Sequence, residues 1–129
     1  ILDALDISAR LDELRPLKNG WLEGRGVAPS PEGLDWLSLA FAQHYPEDLS
    51  LPFLYPTEEG GVRAEWSLEP YEASLDINLM THAAEWHVLN METDVEDSKT
   101  LNLDEADDTE ADDWEWLVKT IQRIDGGEQ

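Results

Sequence analysis

The residues with the clearest chemical potential are a run of carboxylates followed by indoles. Seven of the ten residues from 104 to 113 are acidic, and tryptophans follow at 114 and 116. The acidic residues are Asp104, Glu105, Asp107, Asp108, Glu110, Asp112 and Asp113. A run of this kind can bind a hard cation, attract a basic partner, or form the solvated start of a helix.

A calcium loop is the first alternative, and the spacing argues against it. Asp104, Asp108 and Glu115 fall at positions 1, 5 and 12 of an EF-hand count. Position 3 is Ala106 instead of a ligand, and position 6 is Thr109 where the sharp turn needs glycine. The run therefore supports loose, screened association of cations and predicts no specific calcium site.

A second candidate metal set consists of His82, Glu85 and His87, which lie within six residues. Their spacing does not match the His-Glu-x-x-His pattern of zinc hydrolases. The alternation of the segment is typical of a strand, with Glu85 and His87 on one face and His82 in the preceding turn. We interpret both histidines as surface residues, so the sequence predicts neither a metal nor a cofactor.

Catalytic patterns are absent from the sequence. A general acid or base needs a carboxylate in a special environment, and thirty acidic residues single out no pair. There is no cysteine and no Gly-x-Ser-x-Gly nucleophile motif. We therefore expect a protein that is not an enzyme, and a hydrolase is the less favoured alternative, together with a calcium-binding protein.

The net charge is −22, and it is distributed unevenly along the chain. Residues 1–64 contain 11 acids and 5 bases, whereas residues 65–129 contain 19 acids and 3 bases. Within 92–115 there are 12 acids and one base, Lys99. Such a charge repels nucleic acid and anionic membranes and attracts basic proteins. Solubility alone needs a net charge of only about 2–8 in magnitude.

Two features that the sequence lacks bear on the cellular compartment of the protein. No apolar run approaches the 18 residues that a membrane span requires. The absence of cysteine is compatible with a reducing compartment. We expect a cytoplasmic protein that neither binds a membrane nor contacts nucleic acid directly.

Four of the six tryptophans fall on predicted core faces, but Trp116 does not. The apolar stripe of the last helix runs through Trp114 and Leu117, and the helical period places Trp116 beside it. An exposed indole among carboxylates is a typical hot-spot residue for a protein partner. Trp116 is therefore included among the predicted contacts.

The functional interpretation is a non-enzymatic binding or inhibitor protein for a basic partner, most simply a nucleic-acid-acting protein. The acids would occupy a site that normally holds nucleic acid, as in an antitoxin, an immunity protein or a phage inhibitor of a CRISPR or restriction complex. The alternative is a structural or accessory subunit whose acidity gives only solubility. Beyond the acidic run and Trp116, the predicted contacts are Glu65, Glu72 and Asp76.

The elements that position these residues can be read from periodicity. Helices are predicted over 3–15, over 31–45 after Ser30 and Pro31, and from 114 to 124. Alternation predicts strands over 62–68, 71–79 and 84–90, with short strands over 52–56 and 99–103. The fold class is α+β: two N-terminal helices, an antiparallel meander of three to four strands, and a C-terminal amphipathic helix on one sheet face. We expect one domain over residues 1–129, with the acidic segment 92–115 inside it.

Three stretches resemble a group of small acidic bacterial α+β proteins: NGWLEGRGVAPSPEGLDWL, YPTEEGGVRAEW and SLDINL. The shared pattern is a Gly-Trp-x-x-Gly loop, a helix begun by proline, and a hairpin with Pro…Glu-Gly-Gly-Val-x-x-Glu-Trp. The resemblance covers residues 10–90. It implies the fold and a bacterial or phage origin, and it implies no mechanism. The acidic segment after Glu92 is more highly charged than is typical of the group.

Overall fold

The computed structural model describes residues 7–46, 49–103 and 113–125. The helices are α1 (Ile7–Leu14), α2 (Pro31–His44) and α3 (Asp113–Asp125). The strands are β1 (Phe53–Pro56), β2 (Val62–Leu68), β3 (Tyr71–Ile77), β4 (Ala83–Asn90) and β5 (Val95–Asn102). The predicted start of the first helix lies outside the described residues. No helix in the described ranges is long and apolar enough to cross a membrane.

The five strands form one antiparallel sheet in the order β1-β2-β3-β4-β5. Successive strands are neighbours because tight turns connect them, which is the simplest way to pair antiparallel strands. The α+β class is confirmed. The predicted strand count of three to four is wrong, because the sheet has five strands.

The fifth strand is β1, which the sequence predicts as a short strand outside the meander, and β5 differs from its prediction in length. Sequence alternation predicts only a short strand over 99–103, but β5 begins at Val95 and pairs with β4 over eight positions. All residues from 95 to 100 are exposed, so no core pattern marks the first part of the strand. Hydrogen bonds to β4 define it instead, and an edge strand that no layer covers does not need alternating hydrophobicity.

Helices cover one face of the sheet, and the core lies between the two layers. From the sheet, Trp66 and Trp86 are almost fully buried, and from α2 so are Leu34, Leu37 and Phe41. Burying a leucine-sized side chain contributes about 1.5–3 kcal/mol, so this layer contact dominates the stability. The other face of the sheet carries mainly polar side chains, and we call it the outer face.

Helix α2 begins as its sequence predicts. Ser30 is the N-cap, and its hydroxyl accepts a hydrogen bond from the Gly33 N–H at 3.0 Å. Pro31 occupies the first helical position, where no N–H is required. A Cβ on Gly33 would lie 2.6 Å from the Leu79 Cβ, so the absence of a side chain lets the helix start pack against the β3–β4 turn. The predicted helix over 31–45 is confirmed to within one residue.

The β3–β4 and β4–β5 connections are two copies of one turn, NLMTHA (78–83) and NMETDV (90–95). In each, the asparagine side chain accepts hydrogen bonds from the N–H groups two and three residues later. The threonine hydroxyl accepts from the N–H two residues on, and the residue between has a φ near +60°. These residues are Asn78, Thr81, His82, Asn90, Thr93 and Asp94. Asparagine and threonine thus supply the hydrogen bonds that define the turn.

The sheet has two edges, and β1 forms the first. It is four residues long and lies between Pro52 and Pro56. The Leu54 carbonyl accepts a hydrogen bond from Arg10 Nε of α1 at 2.9 Å. Proline and a covering side chain are two devices that prevent another strand from pairing with an edge.

The residues before β1 are tied to the core by a polar network. Trp66 Nε1 donates to the Tyr45 hydroxyl at 3.0 Å and to the Ser50 carbonyl at 3.2 Å. The Tyr45 hydroxyl donates to the same carbonyl. The Ser50 hydroxyl donates to Asp125 of α3 at 2.9 Å. The chain entering β1 is therefore fixed to α2, β2 and α3 at once.

Candidate partner-binding surface

Six predicted contact residues lie outside the described residues: Asp104, Glu105, Asp107, Asp108, Glu110 and Asp112. The chain on either side of them is held together by two hydrogen bonds. The Asp113 carboxylate accepts from the Asn102 N–H at 2.6 Å, and Trp114 Nε1 donates to the Leu103 carbonyl at 3.2 Å. The described residues that flank the acidic run therefore meet at one place, the end of β5.

Asp113 has a structural position. Its carboxylate binds the backbone at the end of β5, and it lies in the first turn of α3, where the helix dipole favours an anion. These two contacts explain why an acidic residue occupies position 113 without invoking a protein partner.

Trp116 is partly buried, whereas the helical period predicts an exposed indole. Its ring packs edge-to-face on Trp86 with 6.1 Å between centroids. The Lys99 ammonium lies 5.0 Å from the Trp116 ring centroid, a cation–π distance. The helix face that contacts the sheet is thus wider than the Trp114–Leu117 stripe and includes Trp116 at its border.

The outer face brings together Glu65, Glu72 and Asp76, the three predicted contacts in the strands. Arg63 lies between two of them, with its Nε 2.8 Å from Glu65 and its Nη1 3.5 Å from Asp76. Glu72 accepts a hydrogen bond from the Ser67 hydroxyl. The three acids therefore share one face, as alternation predicts, but an arginine partly neutralises two of them.

Asp76 also lies directly opposite Glu85 in the β3–β4 register. Like charges at opposed positions destabilise a sheet. Glu85 in turn accepts a hydrogen bond from the Thr100 hydroxyl at 3.0 Å. The acidity of this face is therefore not explained by sheet stability alone.

The β4–β5 hairpin carries four acids of the segment 92–115 that are not among the individually predicted contacts. Glu92, Asp94, Glu96 and Asp97 are exposed, and we call them the hairpin carboxylates. None of them forms an ion pair with a described residue. The signal that could have found them is the second Asn-x-x-Thr turn, which fixes a hairpin at this position.

Glu96 extends the acidic outer face toward the β5 edge. In the strand register Glu72 is opposite Leu89, which is opposite Glu96, so all three share the outer face. A shallow depression of about 230 Å³ lies on this face and is lined by Arg63, Glu65, Glu72, Ser74, His87 and Glu96 among others. Its lining carries more negative than positive charge.

His82 and His87, the two histidines of the second candidate metal set, have different surroundings. His82 stacks on Trp36 with 3.8 Å between ring centroids and 2° between ring planes. His87 is on the outer face, opposite Ser74. In the part of the chain that the structure describes, no three His, Asp or Glu side chains are grouped to hold a metal ion.

A second groove, of about 740 Å³, lies at the end of the sheet where the β1–β2 and β3–β4 turns meet. Its lining includes Val27, Leu79 and Met80, and the Met80 side chain is 89% exposed. Arg63 and Asp76 stand at its rim and connect it to the outer face. The groove has an apolar floor without a nucleophile paired to a base.

Tyr45 is the described phenol in the most unusual environment. Its pKa is raised, first by burial and also by the nearby Asp125 charge, while the Trp66 hydrogen bond acts in the opposite direction. The side chain is 8% exposed and lies within the network that anchors β1. Tyr45 is therefore part of the core rather than a group that exchanges protons with a substrate.

No family model, curated protein or solved structure matches the chain. Its function is inferred below from its own residues.

Proposed function

We propose that the protein is a non-enzymatic acidic binding protein that engages a basic partner. The observation that carries the proposal is the group of hairpin carboxylates, four exposed acids within six residues of a hydrogen-bonded hairpin. They have no ion-pair partner among the described residues. Carboxylates held on a fixed frame attract and orient a basic surface without an ordering cost of their own.

Charge placement favours binding over simple solubility. A dissolved domain of this size needs a net charge of about 2–8 in magnitude. The chain carries −22, well beyond that range, and eight of the 19 described acids lie on the outer face and the β4–β5 hairpin. The opposed Asp76 and Glu85 add local repulsion that a merely soluble surface does not require.

The partner class that fits best is a nucleic-acid-acting protein. Duplex DNA carries one charge per about 1.7 Å of helix axis, so proteins that bind it present dense basic surfaces. The outer face and the hairpin carboxylates hold acids on a fixed frame, and the sequence adds seven acids within residues 104–113. This supports an inhibitor that occupies a nucleic-acid site, in the manner of an antitoxin, an immunity protein or a phage anti-defence protein.

The test is displacement of duplex DNA from purified basic DNA-binding proteins of the organism that encodes the chain. We expect displacement at about 50 mM salt that is strongly reduced at 200 mM, because charge-driven competition is screened. The variant changes the hairpin carboxylates to Glu92→Gln, Asp94→Asn, Glu96→Gln and Asp97→Asn. Exposed ion pairs contribute about 0.2–1 kcal/mol each, so the loss of four should weaken displacement by about fourfold or more.

The matched control removes four charges from the other half of the chain: Glu13→Gln, Glu23→Gln, Glu32→Gln and Glu58→Gln. It changes the net charge equally and should displace DNA as well as the natural protein does. Equal weakening by both variants would show that total charge acts and not the hairpin. Displacement that is independent of salt, or none from any basic protein, would leave the accessory-subunit alternative.

A further inference from the structure

The second edge of the sheet, β5, is open over residues 96–100 among the residues that the structure describes. Asn102 donates its N–H to Asp113, outside the sheet, so residues of the same parity direct their backbone groups away from β4. These residues are Glu96, Ser98 and Thr100, and their side chains share the outer face with Asn102. Within the described ranges, no residue covers their outward N–H and C=O groups.

The length of β5 and the residues that it contains make this edge suitable for pairing with another strand. It spans eight residues and contains no proline, and its first six residues are all exposed. An edge of this kind is a template for an added strand, whose main-chain hydrogen bonds supply affinity. Side-chain pockets and charges along the edge then decide which strand is accepted.

The charges along β5 select the incoming strand. Glu96 projects on the outer face near Glu72, and Asp97 projects on the opposite face. The turn that leads into the strand adds Glu92 and Asp94. A second copy of this chain would bring the same acids and a net charge of −22, whereas a basic segment would be attracted.

We infer that the partner presents an extended basic segment that adds to β5 as a sixth, antiparallel strand. The inference rests on the proposed function and specifies how the basic partner is held. Residues of the segment that hydrogen bond with Glu96, Ser98 and Thr100 project their side chains on the outer face, beside the carboxylates. Basic residues are therefore required at alternate positions of the segment, and the positions between them face Val95 and Asp97.

The probe is a synthetic eight-residue peptide of alternating lysine and threonine, with two isomers of identical charge. One isomer is N-methylated on its lysines and the other on its threonines. Strand addition with lysines over the outer face needs the lysine N–H groups, so the lysine-methylated isomer should bind at least tenfold more weakly. The threonine-methylated isomer should bind like the unmodified peptide. Affinities are measured by titration at low salt.

Amide hydrogen exchange on the full chain locates the contact. The unmodified peptide should slow exchange of the Glu96, Ser98 and Thr100 amides, and the lysine-methylated isomer should not. Ser98→Pro removes an outward N–H that makes no bond to β4, so this variant should keep its thermal midpoint and lose peptide affinity. Lys18→Gln, far from this edge in sequence, serves as the variant that should leave affinity unchanged.

The outcomes separate this inference from the proposed function. Equal, salt-sensitive binding of both isomers without slowed amides would overturn strand addition and leave the acidic binding surface standing. Absence of binding by every peptide at low salt would overturn both. Slow exchange of the three amides without peptide, together with a dimer in solution, would assign the edge to a second copy of the chain and reject the basic segment.

Discussion

At one edge of the sheet, β1 is short, lies between two prolines, and gives its Leu54 carbonyl to Arg10. At the other edge, β5 is twice as long and is exposed over its first six residues. Its carboxylates have no ion-pair partner among the described residues. The chain thus covers one edge with an arginine of its own helix, whereas no described residue covers the first part of β5, which carries acidic side chains. Protection by charge repels copies of the same chain and admits a strand of opposite sign.

The largest expected difference between the two edges is in packing. Leu54 is 1% exposed, so Leu54→Ala should lower the free energy of unfolding by about 2–5 kcal/mol. Val95 is 62% exposed, so Val95→Ala should change it by less than about 0.5 kcal/mol. Urea unfolding of both variants measures the contrast. Equal losses would mean that β5 is covered in solution.

The second prediction concerns the hydrogen bond from Arg10 that covers the β1 edge. Arg10→Met keeps an aliphatic side chain over β1 but removes the donor to Leu54, which should cost about 1 kcal/mol. Amides at the β1 edge should then exchange faster with solvent. Glu13→Gln is the control, because it removes the ion-pair partner of Arg10 and leaves the donor to Leu54. Equal effects of Arg10→Met and Glu13→Gln on stability and on amide exchange at β1 would contradict this prediction.

The third prediction concerns alkaline pH. The pKa of Tyr45 is raised by burial, so the folded protein holds the phenol proton more tightly than the unfolded chain does. This contribution is fully present below about pH 10 and is lost as pH rises toward the folded-state pKa. Natural protein should lose stability relative to Tyr45→Phe above that pH, by at most about 1.4 kcal/mol per pH unit.

Urea titrations of the two proteins at several alkaline pH values test this point. Tyr55→Phe is the control, because that side chain is exposed on the outer face of β1. Parallel stability curves for the natural protein and Tyr45→Phe would show that the phenol is not held by the β1 network.

The smallest expected effect is the change in the free energy of unfolding when the acids at the β5 edge are neutralised. Neutralising the four hairpin carboxylates should change the free energy of unfolding by no more than about 0.5 kcal/mol, because exposed charges without partners contribute little. The same variant should self-associate more readily, since the charge that protects β5 is gone. Sedimentation measured beside the four-site control variant checks this. A strictly monomeric variant would show that charge is not the protection.

What the sequence predicts correctly is the part of the fold that is buried. Helix α2, strand β2 and the stripe of α3 all have one side in the core, and burial imposes the periods 3.6 and 2 on their residues. The outer-face position of Glu65, Glu72 and Asp76 follows from the same alternation.

The predictions that differ from the structure concern residues for which local periodicity carries no information. Strand β5 is specified by pairing with β4, so its exposed first residues carry no periodic signal. Trp116 is partly buried although the helical period predicts exposure, because the period of an apolar stripe does not give the width of the sheet that it faces. Asp113 looks like any other acid of the run, and its bond to Asn102 depends on a contact eleven residues away. Such long-range hydrogen bonds leave no local pattern.

The two Asn-x-x-Thr turns share one backbone geometry but present different side chains. Asparagine and threonine set the geometry in both copies, and the residues between them are free to differ. In the first copy the residue with positive φ is His82, whose ring locks onto Trp36. In the second it is Asp94, whose carboxylate makes no hydrogen bond or ion pair with a described residue. The same turn therefore packs against α2 at one end of β4 and presents an exposed carboxylate at the other end.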